Sequence, residues 1–216
     1  MKKTFGKLAL AALLSFVPLS SASAYSYSID YASTLDSQSI LTTTVAGAIV
    51  YDFDNLTPTY SGQGTVVTGN NTGRWAEPGL TDGTKYFVAP DSGTGGTATI
   101  TFSQKNSYLG LYWGSIDSYN HIVFYNGTQL LFSIGGTDVT NPVAANGNQG
   151  DTGTNKYVNI YASDFVFDRI DIQSVGANAF ELDNLSVKPV PEPATMLLFG
   201  TGIAGLAGIA RRRKTN

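Results

Sequence analysis

The chain has 216 residues, no cysteine and one histidine, which excludes disulfides, thiol nucleophiles and cysteine-ligated metals. Seven of its 13 basic residues lie among the first seven or the last six positions, and residues 25–188 carry 6 basic and 15 acidic side chains, a net charge of −9. So acidic a body argues against a nucleic-acid partner, because binding to phosphates requires a basic surface.

The first 24 residues have the pattern of a secretory signal peptide. Three lysines within the first seven residues precede an apolar run from Leu8 to Leu19, and Ala22-Ser23-Ala24 is a small-residue cleavage sequence. The run is too short for a helix to cross a hydrocarbon core of about 30 Å. We therefore predict export, cleavage after Ala24 by signal peptidase, and a mature chain that begins at Tyr25.

Residues 25–188 are predicted to form one all-β domain. Turn-forming residues are abundant and no stretch shows sustained helical periodicity, whereas Thr97–Phe102 alternates threonine with Ala, Ile and Phe as a half-buried strand does. Short strands separated by turn signals predict a two-sheet antiparallel β-sandwich. The predicted strands are 45–53, 84–89, 97–102, 108–113, 121–125, 129–134, 157–162, 165–173 and 179–187.

The connections between these strands also carry signals. Asn126-Gly127 predicts a hairpin with a type I′ turn, in which both central residues have positive φ. The Gly- and Asn-rich segments 54–83 and 138–154 are predicted to be loops at the ends of the sandwich, where binding residues are common. Three prolines within Pro189–Pro193 predict a linker that leaves the sheet.

The C-terminal segment, residues 189–216, has three parts in a fixed order. Pro191-Glu192-Pro193 is followed by 17 uncharged residues, 194–210, and then by four basic residues, 211–214. The uncharged stretch is long enough for a transmembrane helix, and the basic end, Arg211, Arg212, Arg213 and Lys214, is expected to stay in the cytoplasm.

This segment resembles the PEP-CTERM sorting signal in both order and spacing. The resemblance implies recognition by an exosortase, a membrane-embedded processing enzyme of Gram-negative bacteria that export polysaccharide and form biofilm. The tail would anchor the precursor in the inner membrane and would be removed near Pro191-Glu192-Pro193. The mature protein would then reach the cell surface, the outer membrane or the extracellular matrix.

Two blocks of the body also resemble known proteins. Residues 108–120 with Phe124-Tyr125-Asn126-Gly127 are similar to a block of exosortase-dependent surface proteins, and Phe180–Leu185 is similar to the closing strand of jelly-roll, galactose-binding-like domains. The resemblance implies a jelly-roll-like sandwich and a surface location, without naming a ligand.

A calcium site is one candidate, because Ca²⁺ takes six to eight oxygen ligands from carboxylates and carbonyls. In jelly-roll modules the first and last strands lie together, which would unite an early and a late polar cluster. The alternative is that these residues cap turns and face solvent. The candidate ligands are Asp52, Asp54, Asn55, Glu181, Asp183 and Asn184.

An aromatic platform for sugar rings is a second candidate, formed by Trp75, Trp113 and Tyr119 with Tyr112. Alternation places Tyr112 and Trp113 on opposite faces of one strand, so at least one of them is expected to be a packing residue. Trp75 lies in a glycine-rich segment and is the best candidate for exposure. The alternative is that most of these aromatic residues belong to the core.

No catalytic constellation stands out. His121 is the single histidine and has no nucleophile motif beside it, while Glu77 and Glu181 are the only glutamates of the body. We therefore predict a non-enzymatic surface or biofilm-matrix protein that binds exopolysaccharide or surface partners. The alternatives are a surface glycan hydrolase, which needs two carboxylates about 5 to 10 Å apart, and a structural coat protein without a defined ligand.

Overall fold

The computed structural model describes residues 25–79, 83–140 and 145–191. The predicted signal peptide, Glu192, Pro193, the predicted span 194–210 and the basic end lie outside these residues. Within the described part of the chain, no helix is both long and apolar enough to cross a membrane.

The described residues contain thirteen strands and one helical turn, α1 (Gly136–Val139). The strands are β1 (Tyr27–Asp30), β2 (Ser33–Leu35), β3 (Leu41–Thr43), β4 (Ile49–Tyr51), β5 (Thr59–Gly62), β6 (Thr65–Thr68), β7 (Lys85–Ala89), β8 (Gly96–Gly114), β9 (Asn120–Asn126), β10 (Gln129–Gly135), β11 (Lys156–Ala162), β12 (Phe167–Ser174) and β13 (Phe180–Pro189).

Eleven of these strands form one antiparallel hydrogen-bonded network that folds into two layers through the long strand β8. The N-terminal half of β8 pairs with β12 on one edge and with β5 on the other, and β9 and β10 continue beyond β12. The C-terminal half of β8 pairs with β11 and β13, with β1 beyond β11 and both β4 and β7 beyond β13. Strand β6 pairs with β7, and β2 and β3 form a separate two-stranded sheet.

The core lies between these two layers. One cluster of buried side chains joins Ile100 and Phe124 of the first layer to Leu111 and Leu182 of the second. The layers also meet at aromatic pairs, such as Tyr60 with Phe87, whose ring centroids are 5.1 Å apart. The predicted all-β antiparallel sandwich is confirmed.

Each predicted strand overlaps an observed one, but the bounds differ. The predicted strands 97–102 and 108–113 are the two halves of β8, and the predicted strand 45–53 contains only the three residues of β4. The sequence also predicted a loop over 54–83, where β5 and β6 lie. All four residues of β5 are exposed, so no apolar alternation marked that strand.

The hairpin at Asn126-Gly127 is confirmed, but its turn type is different. Asn126 pairs with Gln129, so the two loop residues are Gly127 and Thr128. Gly127 has φ +60°, whereas neither Asn126 nor Thr128 has a positive φ. Positive φ at the first central residue alone is the pattern of a type II′ turn, not of type I′.

Strand β13 also continues further than the prolines predicted. Pro189 pairs with Asn106 after a register shift that follows Lys188, and the Val190 N–H donates to the Lys105 carbonyl at 2.9 Å. A proline at the end of a strand is tolerated, because only its missing N–H interrupts the hydrogen bonding. The predicted linker therefore begins after Val190 and not at Pro189.

Candidate functional site

A pocket of about 570 Å³ opens at one end of the sandwich. Four segments line it, residues 70–76, 115–119, 146–149 and 178–181, and we call it the loop pocket. Its volume lies within the range of about 300 to 1,000 Å³ that is usual for small-molecule sites. The two segments that the sequence predicted as loops, 54–83 and 138–154, supply two of its walls.

Asn155 fixes these two loops against each other. Its side-chain oxygen accepts hydrogen bonds from the Gly79 N–H at 3.0 Å and the Ser115 N–H at 2.9 Å. Its amide nitrogen donates to the carbonyls of Asn148 and Asp151 at 2.8 and 2.9 Å. One buried side chain thus joins two of the pocket segments, 115–119 and 146–149, to Gly79 in the loop that follows a third, and no sequence motif identified it.

The opposite wall is positioned by Asn120 and Tyr119. The Asn120 amide donates to the Ala179 carbonyl at 3.0 Å, and its oxygen accepts from the Asp117 N–H at 3.0 Å. The Tyr119 hydroxyl donates to the Asn178 carbonyl at 2.9 Å. These bonds hold the start of β9 against the start of β13.

Glu181 and Ser115 form the floor of the pocket. Glu181 is 3% exposed and Ser115 is 5% exposed. Glu181 Oε1 accepts from the Ala76 N–H at 3.1 Å, whereas Glu181 Oε2 and Ser115 Oγ are buried and have no hydrogen-bond partner. Buried polar atoms are nearly always paired with protein, water or a ligand, so this floor is suited to a polar guest.

Two carboxyl groups therefore face the same pocket, those of Asp117 and Glu181. Burial raises the pKa of Glu181 well above its ordinary value, and the charge of Asp117 adds to the rise while the Ala76 N–H opposes it. Burial also raises the pKa of Asp117, and the neighbouring Tyr119 hydroxyl opposes that rise. Both groups hold their protons more tightly than a solvent-exposed carboxyl does.

Aromatic side chains complete the pocket. Trp75 and Tyr119 both line it and are half-buried, as the predicted platform requires. The Asn71 N–H donates to the Trp75 carbonyl at 3.0 Å and the Trp75 N–H donates to the Asn71 carbonyl at 3.1 Å. These two hydrogen bonds fix the turn that carries the indole. The Arg74 guanidinium lies 5.6 Å from the Trp75 ring centroid, so a cation covers part of that ring.

Trp113 does not belong to this platform, which corrects the sequence prediction. It is 0% exposed and stacks on Phe180 with ring centroids 4.4 Å apart, inside the main core. Tyr112, on the other face of β8, is also buried and packs with Ile40 and Tyr157. The predicted alternation of these two residues is correct, but both are packing residues.

The predicted calcium ligands separate into two neighbourhoods. Glu181 lies in the loop pocket, whereas Asp52 and Asn55 form a turn after β4 in which Asp52 Oδ1 accepts from the Asn55 and Leu56 N–H groups at 2.8 and 2.9 Å. Burial favours a raised pKa for Asp52, but these hydrogen bonds outweigh it and lower the pKa. Asp52 therefore has the turn-capping role that was the alternative to calcium binding.

Asp183 lies at a bulge of β13, with Asn184 at φ 45°. Asp183 is 1% exposed; its Oδ1 accepts from the Asn184 N–H at 2.6 Å and its Oδ2 has no partner. Burial raises its pKa to about 8, and the carboxylates of Asp54, Asp36 and Asp52 contribute to the rise. Asp36, which the sequence did not single out, accepts from the Asn184 amide at 2.7 Å.

These residues are neighbours without forming a recognisable metal centre. Among the residues that the structure describes, no group of three or more His, Cys, Asp or Glu side chains is arranged to hold a metal ion. The early and late clusters do meet, because β4 pairs with β13. Calcium binding stays a prediction, with Asp36 added to its neighbourhood and Glu181 removed from it.

Comparison with known proteins identifies the C-terminal segment. Residues 189–214 match the family model of the PEP-CTERM protein-sorting motif. The chain carries a PEP-CTERM sorting motif. This motif indicates an extracellular surface protein that is sorted by an exosortase. The predicted processing residues Pro191, Glu192, Pro193, Arg211, Arg212 and Arg213 all lie within the matched range, whereas Ala22 and Ala24 lie outside it.

The other comparisons add little about the body of the chain, which lies outside the matched sorting motif. No curated protein matches the chain. A solved structure titled "CpGH89CBM32-6 produced by Clostridium perfringens" is similar over 59% of this chain and 94% of that chain, with 12% identity and a TM-score of 0.31. A TM-score this low does not establish a shared fold.

The described part of the sorting motif begins inside the folded domain. Pro189 is the last residue of β13, and Val190 is hydrogen-bonded to Lys105. Pro191, the first residue of the Pro-Glu-Pro sequence, therefore follows directly on the last backbone hydrogen bond of the sheet.

Proposed function

We propose that the body of this surface protein is a binding module for exopolysaccharide and that the loop pocket holds the sugar. The observation that carries the proposal is the convergence of Trp75 and Tyr119 above a floor with two unpartnered polar atoms, Glu181 Oε2 and Ser115 Oγ. Sugars present both an apolar ring face and hydroxyl groups, so they match aromatic walls over a polar floor.

The other lining residues support a neutral polar guest. The walls contain the amide side chains of Asn70, Asn71, Asn146, Gln149 and Asn178, which both donate and accept hydrogen bonds. Arg74 is the only cationic residue in the described lining, beside two carboxyl groups. A strongly anionic polymer is disfavoured in such a pocket, and it is disfavoured again by the charge of −9 over residues 25–188.

A specific observation also favours the rival proposal, a glycan hydrolase. Asp117 and Glu181 share the pocket, and glycosidases use a pair of carboxyl groups, one of them with a raised pKa. Against this role, the Ala76 N–H donates to Glu181 Oε1 at 3.1 Å, which fixes the carboxyl group in the floor of the pocket. A general acid must be free to reach the glycosidic oxygen. We therefore favour a glycan-binding module over a glycan hydrolase.

The test is a pull-down and titration with neutral matrix polysaccharides and their oligomers, using the mature chain and two variants. We expect Trp75→Ala to weaken binding by at least about tenfold, equivalent to 1.4 kcal/mol, because the apolar ring face loses its partner. Trp75→Phe keeps an aromatic face and should retain most of the affinity. Equal melting midpoints for the three proteins show that the loss is local.

Three results would overturn the proposal. Failure of the wild-type chain to bind any matrix glycan, together with self-association, favours the structural coat protein. Release of reducing sugars by the wild-type chain, lost in Glu181→Gln, establishes the hydrolase. Unchanged binding by Trp75→Ala shows that the glycan site lies elsewhere on the molecule.

A further inference from the structure

The two ends of β13 have different roles. At its start, Glu181 forms part of the floor of the loop pocket. At its end, Pro189 leads into the sorting motif. The eight residue steps between them span about 26 Å in a strand that rises 3.3 Å per residue. The loop pocket and the root of the sorting tail therefore lie at opposite ends of the domain.

The tail leaves the domain with almost no slack. The last backbone hydrogen bond joins the Val190 N–H to the Lys105 carbonyl at 2.9 Å. The uncharged stretch 194–210 begins four residues later. Even a fully extended chain covers at most about 14 Å in four residues. If residues 194–210 span the membrane as predicted, the domain is held against the lipid surface.

The surface at this end is suited to such a contact. A groove of about 840 Å³, which we call the tail groove, is lined by apolar residues, among them Ile49, Phe102 and Val190, and by four polar ones, Ser103, Gln104, Lys105 and Asp168. Ile49 is 39% exposed and Val190 is 37% exposed, so apolar surface is open at the point where the tail departs.

The charge distribution favours the same orientation. Two of the six basic residues of the acidic body lie at this end with exposed side chains: Lys105 lines the tail groove, and Lys188 precedes groove residue Pro189. One carboxylate, Asp168, also lines the groove and accepts from the Gly127 N–H at 2.7 Å, while the neighbouring Arg169 is paired with Asp171 at 3.5 Å. Headgroups that carry negative charge attract basic side chains and repel acidic surface. A body with a net charge of −9 would therefore present this end to the membrane.

We propose that the tail groove face rests on the lipid headgroups while the sorting tail is attached, and that the loop pocket then points away from the membrane. The precursor thus exposes its ligand site before processing. This inference rests on the short tether and the tail groove, and it is independent of which ligand the loop pocket takes.

The chain has no cysteine, which makes site-specific labelling direct. The chain from Tyr25 to Asn216 is inserted into vesicles of phosphatidylethanolamine and phosphatidylglycerol at 3:1, with an energy-transfer acceptor on the headgroups. One variant, Gln104→Cys, carries a donor dye beside the tail groove; the matched variant, Thr72→Cys, carries it beside the loop pocket. Both native residues are exposed, so labelling leaves the core intact.

We expect transfer from position 104 to be at least threefold more efficient than transfer from position 72. Adding Ile49→Asp should reduce this ratio, because a charge is placed on the face that contacts lipid. Leu130→Asp is the matched control: Leu130 is 58% exposed and lies outside the tail groove, so this change should leave the ratio unaltered.

Equal transfer at the two positions would overturn the proposal, because it means that the domain tumbles freely on its tether. Stronger transfer from position 72 would overturn it by reversing the orientation. A preference that appears only when exosortase is added would show that the tail groove docks on the enzyme and not on lipid, and would also overturn it.

Discussion

Asp183 is a carboxyl group held in the protein interior with one oxygen unpaired. It lies at a bulge of β13, and the carboxylates of Asp54, Asp36 and Asp52 add to the effect of burial on its pKa. A buried carboxyl group in such surroundings is stable when protonated and costly when ionised. Its titration should therefore be visible in the stability of the whole domain.

The sign of this effect follows from linkage. The folded-state pKa of Asp183 is about 8, above the ordinary value of 3.8, so the folded state binds the proton more tightly than the unfolded state. The stabilisation is complete below about pH 4 and is lost as the pH rises to about 8. In the presence of chelator, we expect the melting midpoint of the wild-type protein to fall as the pH rises across this range. The midpoint of the Asp183→Asn variant should fall by several degrees less.

If calcium binds beside Asp183, it should reverse the order of the two melting midpoints, so calcium addition is the control for this prediction. A bound cation would keep Asp183 ionised without cost, so calcium should raise the wild-type midpoint at pH 8 and have no effect on Asp183→Asn. If chelator leaves the wild-type melting midpoint unchanged, the prediction of a structural calcium ion is wrong. If the two proteins show the same pH dependence, Asp183 is not the titrating group.

The two tryptophans illustrate how far residue type predicts a role. Trp75 and Trp113 have the same side chain, so their chemistry makes them equal candidates for sugar stacking. Only the sequence around each residue distinguishes them. Alternation within 108–113 correctly separated Tyr112 from Trp113, but could not say which face would be covered. The face opposite the core is covered by β3, which lies more than 60 residues earlier in the chain.

Among the elements, the β9–β10 hairpin makes the sharpest prediction. Gly127 has φ +60° and an added Cβ would meet no atom within 4 Å, so any cost of substitution comes from the backbone alone. Gly127→Ala should destabilise the domain by about 1 kcal/mol, because alanine resists positive φ.

Gly150→Ala is the matched control in a denaturant titration. Gly150 has no positive φ, and an added Cβ would make only an ordinary contact at 3.8 Å with Asn148 Oδ1. Its midpoint should stay at or slightly above that of the wild type. A loss of the same size in both variants would mean that the turn type at Gly127 does not limit the hairpin.

Strands with a marked apolar alternation were predictable, and strands without it were not. Ala98, Ile100 and Phe102 face the core as the sequence indicated. The union of two predicted strands in β8 was not predictable, because Ser103, Gln104 and Lys105 are exposed and look like a turn. The short strands β1 and β5 are held by the distant strands β11 and β8, while β2 and β3 pair with each other outside the main network. The alternation in Tyr25–Asp30 marks β1, whereas β2, β3, β5 and β6 are too short to show a comparable pattern.

At the scale of the whole molecule, the loop pocket depends on contacts between distant parts of the chain. The Ala76 N–H and Glu181 Oε1 are 105 residues apart, and Tyr119 and Asn178 are 59 apart. The sequence identified the two loops and Trp75, but pairing across such distances is set by sheet topology. For that reason Glu181 was assigned to the wrong neighbourhood, whereas the sorting motif, which is continuous, was identified from its residues alone.

The same topology limits where the tail can be cut. Residues up to Val190 are paired in the sheet, and a processing enzyme needs an extended and accessible chain. Cleavage before Val190 would require the end of β13 to leave its partner β8. We therefore predict that the mature chain recovered from the cell surface ends at or after Val190 and within the Pro-Glu-Pro sequence.

Mass spectrometry of the intact mature protein measures this end directly. A mass that corresponds to a chain from Tyr25 to a C-terminus between Val190 and Pro193 supports exosortase processing. A mass that retains Arg211, Arg212 and Arg213 would make the tail a permanent anchor. A C-terminus well inside β13 would show that the strand unpairs during processing, because the sheet as folded protects every peptide bond from Phe180 to Pro189.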